Sequence, residues 1–192
     1  MTKKKIFLLL PSASPSGPIK GAYALANGFC NYADTYIIYV KEGKGANAYL
    51  NPKVQEIILK ENKWGLIGKI FQYQNFLKKE FKVTKNISLS ICLSADLINF
   101  FSKRYTDNYS SVRGNLPANY YLDYGFLGYF LAIFHLNILR HFTGVISMTN
   151  SMYKQIKLYA GIKSKIINNF IDETSIEKYR RLKSSSKKPI KF

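Results

Sequence analysis

The sequence predicts an α/β domain in which a parallel β-sheet carries helices on both faces. Three observations predict it. Lys5–Leu10 (KIFLLL) is a short continuous apolar run halted by Pro11, the pattern of a strand buried on both faces. Residues 22–32 place Leu25, Phe29 and Tyr32 at helical spacing, and residues 35–40 (TYIIYV) are β-branched and aromatic, as strands are. Strand, helix and strand in that order make a βαβ unit, and the alternation runs on to residue 167.

The remaining elements follow in order. Residues 54–59 predict a strand, and residues 66–81 a helix that turns Ile67, Ile70, Phe71 and Leu77 inward. Residues 87–93 read as a strand and 95–101 as a short helix; residues 109–112 are a further strand ending at Arg113-Gly114-Asn115. A Pro-containing loop leads to an aromatic helix over residues 126–141. Residues 144–148 are a strand, Thr149 starts a helix to Tyr159, and residues 165–167 are a last short strand. The character then changes. Residues 178–191 hold seven Lys or Arg around Ser184-Ser185-Ser186, so residues 1–176 form the domain and 177–192 a basic linker leading into a further element.

Composition narrows the function. A chain of 192 residues suits one globular domain, and 47% hydrophobic residues exclude general disorder. The 29 Lys plus Arg against 11 Asp plus Glu give +18, which asks for nucleic acid, an anionic membrane face or phosphate-bearing small molecules; a lysine-rich solubilising surface is the bland reading. Cys30 and Cys92 are far apart and in no CxxC pattern, which speaks against a disulfide scaffold or a cysteine zinc site and for a cytoplasmic setting. The apolar start, residues 6–10, is shorter than the roughly 7–15 residues of a signal h-region. Residues 126–139, with His135 and Asn137 inside, fall short of the roughly 18–20 apolar residues that span a bilayer and read as a buried or interfacial helix.

Few motifs carry chemistry. The loop Ser12-Ala13-Ser14-Pro15-Ser16-Gly17-Pro18-Ile19-Lys20-Gly21 lies between a strand and a helix, where small residues admit a ligand to backbone N–H groups and a helix N-terminus favours an anion. It matches neither GxGxxG nor GxxxxGK[ST], and an ordinary crossover loop is its plain alternative. Arg113 and Asn115 present a cation and an amide at a strand end, as a binding pair or a structural one. His135 and His141 do not fall at predicted strand ends, and His141 suits a helix C-terminus. No metal-ligand spacing and no GxSxG elbow occurs, and the aromatics follow core spacing with no RNA-binding signature.

The whole pattern resembles the family 4 glycosyltransferases. The opening strand, the loop with Ser16 and Gly17, the AYALANGF helix and TYIIYV look like that family's start. Gly144 to Met152 (GVISMTNSM) is similar to its strand followed by "vS..m", and Ala160-Gly161-Ile162 with Lys165 to Asp172 (KIINNFID) resembles its "gi…ki.vi.N.iD" segment. Ser111 to Asn115 (SVRGN) looks like a further segment. The resemblance covers residues 4–176.

It implies a GT-B enzyme of two Rossmann-like halves facing across a cleft, of which this chain would be the N-terminal, acceptor-side half. Ser16, Gly17, Arg113 and Asn115 would bind substrate, Asn169 and Asp172 would lead into the interdomain linker, and no catalytic residue is assigned. The donor would be a nucleotide-diphosphate sugar, with retention of anomeric configuration, no bound cofactor and no metal. The acceptor would be a glycan or lipid-linked sugar in surface polysaccharide or lipopolysaccharide synthesis, at the inner face of the cell membrane. Truncated before the donor half, the chain would be inactive alone. A non-catalytic basic α/β module that binds an anionic membrane or partner is the alternative; nucleic acid is not expected.

Overall fold

The computed structural model describes residues 4–14, 16–43, 50–80 and 86–168. The elements are β1 (Lys5–Leu10), α1 (Gly17–Phe29), β2 (Asp34–Tyr39), β3 (Gln55–Ile58), α2 (Gly65–Glu80), β4 (Asn86–Ser90), α3 (Leu93–Phe101), β5 (Thr106–Val112), α4 (Leu116–Leu139), β6 (Gly144–Ser147), α5 (Asn150–Ala160) and β7 (Lys165–Ile166). The strands form one sheet in the order β3-β2-β1-β4-β5-β6-β7, and every neighbouring pair is parallel. The fold is the expected Rossmann-like α/β arrangement. Asn169, Asp172 and the basic linker lie outside the described residues.

Alternation along β1 distributes its side chains to two cores. Leu8 and Leu10 join Ile37, Leu89 and Ile91 beneath α1, which contributes Ile19, Ala22, Tyr23 and Ala26. Phe7 and Leu9 face the other way, with Tyr36, Ile38, and Tyr73 and Leu77 of α2, and Ala95 and Ile98 of α3. A third cluster joins Val112 and Val145 to α4 and α5 through Ala132, Leu136, Leu139 and Ile156. Both faces of the sheet are therefore covered, which is why β1 and most of β2 are apolar, while β4 and β5 bury Ser88, Ser90, Thr106, Asn108 and Ser110 as well.

Several boundaries move for local reasons. α1 begins at Gly17, not residue 22, because Pro18 sits in the first turn, where its fixed φ suits a helix and its missing N–H costs nothing. The helix ends at Phe29 with Cys30 as its cap, so Tyr32 falls beyond it and is 83% exposed. On α2 the expected inward set is half right. Leu77 is buried and Ile70 packs on the core, but Ile67 and Phe71 are exposed. The inward face uses Gly68, Tyr73 and the buried Lys69, whose ammonium donates to Val40 O at 2.6 Å and pairs with Glu61. An apolar-only pattern misses a lysine held by a carbonyl and a carboxylate.

The largest difference is α4. It starts at Leu116, ten residues before the expected 126, with Pro117 in its first turn and Asn115 accepting the Ala118 N–H at 3.2 Å as the N-cap. The proline that suggested a loop is instead a helix-start residue. Gly125, at φ 60 and ψ −144, breaks the helix into two limbs, a conformation that only glycine adopts without strain. The limbs fold close together: a Cβ on Gly128 would run into the carbonyl of Tyr120. With 24 residues and an 18-residue stretch of mean hydropathy 1.4, α4 has the length and apolarity to cross a membrane. Yet it is bent at Gly125, and Ala132, Leu136 and Leu139 are spent on the third core.

Candidate functional site

The strand order reverses between β1 and β4, and in open parallel sheets the carboxyl ends beside such a reversal splay into a crevice. A cleft of about 220 Å³ opens beside that point, over the carboxyl ends of β4 and β5, lined by Pro18 at the start of α1, Cys92 and Asp96 after β4, Arg113 after β5, and Tyr120 and His135 of α4. Its volume is below the ~300–1,000 Å³ usual for drug-sized ligands and suits a single small ring.

Arg113 is the expected site residue most firmly in place. Its Nη1 donates to Pro18 O at 2.9 Å, tying the end of β5 to the start of α1. It also borders a smaller apolar cavity of about 90 Å³ with Leu25, Phe29 and Ile146, so it stands between two hollows. Burial lowers its pKa from the ordinary value, but a guanidinium stays charged in proteins. Ser16 and Gly17 head α1 at the rim beside Pro18 and are exposed. The Ser16 side chain makes no capping bond, and a Cβ on Gly17 would meet open space, so the approach to the helix start is unobstructed. Asn115 is exposed, and its amide oxygen serves as the α4 cap.

The structure adds a buried polar chain to these residues. Asp96 in the first turn of α3 accepts from Ser90 Oγ at 2.5 Å through Oδ1 and lies 2.7 Å from His135 Nε2 through Oδ2. His135 Nδ1 is 2.9 Å from Tyr120 Oη, and the two rings stack with their planes 18° apart. Asn99 locks the base of the chain by donating to Ser90 Oγ and to Tyr109 O. Asp96 and His135 are each 1% exposed, whereas Tyr120 is half-buried. Burial first, then the Asp96 carboxylate, hold the Tyr120 phenol above its ordinary pKa, so it stays protonated at neutral pH.

His135 is not near a strand end in sequence. The bend at Gly125 brings it there by folding the second limb of α4 over the first. A signal did exist: Asp96 is the single charged residue between Ile87 and Lys103, and His135 sits in another apolar helix. Both side chains are buried to 1% exposure, and a buried titratable group finds a partner because an unpaired one is costly.

Cys92 links β4 to α3 with φ 74, a strained conformation for a residue with a Cβ. It resembles the turn on which some enzymes mount a nucleophile, but both nitrogens of His135 are already engaged. Desolvation and then the Asp96 carboxylate push the thiol up to about 11, with Arg113 opposing them. Alkylation by iodoacetamide should therefore be slow at pH 7 and accelerate toward pH 11. Arg113→Ala should slow it further at every intermediate pH; a fast reaction at pH 7 would contradict this. Among the described residues no three His, Cys, Asp or Glu gather as a metal site.

These features define a class of fold: a Rossmann-like α/β unit with a cleft at its strand ends, matching GT-B glycosyltransferase structures. No family model matches the sequence, and no curated protein does. Among solved structures, Anabaena Alr3699/HepE in complex with UDP and glucose superposes with a TM-score of 0.65 at 14% identity, over 94% of this chain and 50% of that one. The lipopolysaccharide outer core galactosyltransferase WaaB in its apo form gives 0.59 at 10% identity, over 88% and 46%. Phytolacca americana UGT2 with UDP-2-fluoro-glucose and pterostilbene gives 0.59 at 9%, over 93% and 57%. The chain thus spans about half the length of the structures it matches.

Proposed function

We propose that the chain is the N-terminal, acceptor-side half of a sugar-nucleotide-dependent glycosyltransferase of family 4. One observation carries the reading. Nearly the whole chain superposes on about half of HepE, a structure that holds UDP and glucose, and the cleft opens at the strand ends where such folds bind ligands. In this reading the donor is a UDP-sugar, transfer retains anomeric configuration, and Ser16, Gly17 and Arg113 border the donor phosphates and the acceptor. The resemblance assigns Asn169 and Asp172 to the link with a donor half, which would supply the leaving-group stabilisation that transfer needs. The likeness to WaaB favours an acceptor in surface polysaccharide or lipopolysaccharide synthesis. The coding sequence after the Phe192 codon is a simple check. A continuation encoding a second Rossmann-like domain fits the reading, and a continuation of unrelated fold sinks it.

The same reading places the chain peripherally on the inner membrane face. Around the bend of α4, Leu122, Tyr124, Phe126, Leu127 and Phe130 are exposed, with the Phe126 and Phe130 rings 5.0 Å apart, on a protein of net charge +18. An apolar prow on a cationic body is the makeup of an interfacial binder. The chain is expected to sediment with anionic vesicles and not with neutral ones, and to lose binding at high salt. The pair Phe126→Ser and Phe130→Ser should weaken it at least tenfold. No sedimentation with anionic vesicles at low salt would end the membrane assignment and with it the non-catalytic membrane module, for which the same prow is the support.

A further inference from the structure

The hydrogen-bond chain from Asp96 to Tyr120 has a direction, and the direction selects a ligand. An ionised carboxylate only accepts, and Asp96 already accepts from Ser90 Oγ through one oxygen. Its other oxygen, 2.7 Å from His135 Nε2, therefore requires the proton on Nε2. In neutral imidazole that leaves Nδ1 as an acceptor, so the Tyr120 hydroxyl, 2.9 Å away, must donate to it. With its one proton turned inward, Tyr120 shows only lone pairs to the cleft.

We propose that Tyr120, His135 and Asp96 form a hydroxyl seat of fixed polarity, in which a sugar or polyol hydroxyl in the cleft donates to Tyr120 Oη. A ligand hydroxyl held this way points its proton at the phenol and keeps its own lone pairs directed away from the tyrosine. Arg113 lines the same cleft, its Nη1 donating to Pro18 O, and Asp123 and Asn119 line it too. Tyr120 touches the ligand; His135 and Asp96 are positioning residues that set which way its proton points. Their burial keeps water from offering His135 another partner. That the seated hydroxyl is the one glycosylated rests on the function proposed above; the seat itself needs only a hydroxylated ligand.

Two measurements on the full chain test this. Long-range ¹H–¹⁵N NMR should find the His135 ring proton on Nε2, hydrogen-bonded to Asp96, and none on Nδ1. A proton on Nδ1 would overturn the polarity. Titration with methyl α- and β-hexopyranosides of glucose, galactose and mannose should then shift the His135 Nδ1 resonance for at least one of them, which a purely structural tyrosine would not permit. Tyr120→Phe removes one oxygen and keeps the stacked ring, so it should fold; it should weaken that glycoside about three- to tenfold. The methyl 2-, 3-, 4- and 6-deoxy analogues of the binding glycoside should include one that shows the same loss. No response to any of the glycosides, or wild-type affinity in Tyr120→Phe, would refute the seat. Glycoside binding through Tyr120 with no transfer by a completed enzyme would instead refute the transferase reading and leave the seat standing.

Discussion

Replacing Gly128 by valine is expected to destabilise the protein by about 3 kcal/mol, a large share of the roughly 5–15 kcal/mol of a typical domain. The first limb of α4 passes so close that a Cβ at this position meets the Tyr120 carbonyl, which is backbone and cannot rotate aside. Relief requires the limbs to separate, and separation pulls Tyr120 away from His135. Urea unfolding should show a lower midpoint with little change in slope, and the His135 Nδ1 signal should shift as the Tyr120 bond is lost. Gly28 is the control. It lies in α1 with no atom within 4 Å of a built Cβ, so Gly28→Ala should stabilise by about 0.5–1 kcal/mol. Equal effects from the two substitutions would mean that the limbs of α4 do not touch as described.

Asp96→Ala is expected to cost about 2–3 kcal/mol, the scale of leaving a buried donor without an acceptor. It strands the Nε2–H of His135 where water does not reach, and leaves Ser90 Oγ only its longer bond to Tyr109 O. It should also free the imidazole to change tautomer, which the same NMR experiment reads. Tyr120→Phe, at the half-exposed end of the chain, should cost less, about 1 kcal/mol. A gradient falling from Asp96 to Tyr120 is the signature of a network anchored in the core and open at the cleft.

How far the sequence revealed this depends on the residue. Continuous apolar runs mark β1 and β2 because both faces of a parallel sheet are buried, and their length and β-branched or aromatic content favour strand over helix. Thr149, which caps α5 by accepting the Met152 N–H, is likewise a local signal and marks that helix correctly. Pro18 and Pro117 mislead, since proline suggests a loop until its place in a first turn is known. The cleft residues divide in the same manner. Arg113 is visible as a cation at a strand end. The Asp96–His135–Tyr120 chain spans three segments and depends on a bend at Gly125 that no helical period describes. Tertiary juxtaposition of lone polar residues is the part that spacing along the chain does not encode.

The most direct test is UDP release from UDP-hexoses by this chain joined to the half of Anabaena HepE that it does not cover, with membrane extract from the source cells as acceptor. This chain alone and that half alone are expected to stay at background, and the joined protein to release UDP only when extract is present. Gly17→Trp, which fills the open approach to α1, and Arg113→Ala should each lower that rate at least tenfold while leaving the fold intact. A joined protein that folds and binds UDP, yet releases no more than the HepE half alone, would contradict an acceptor-side role for this chain.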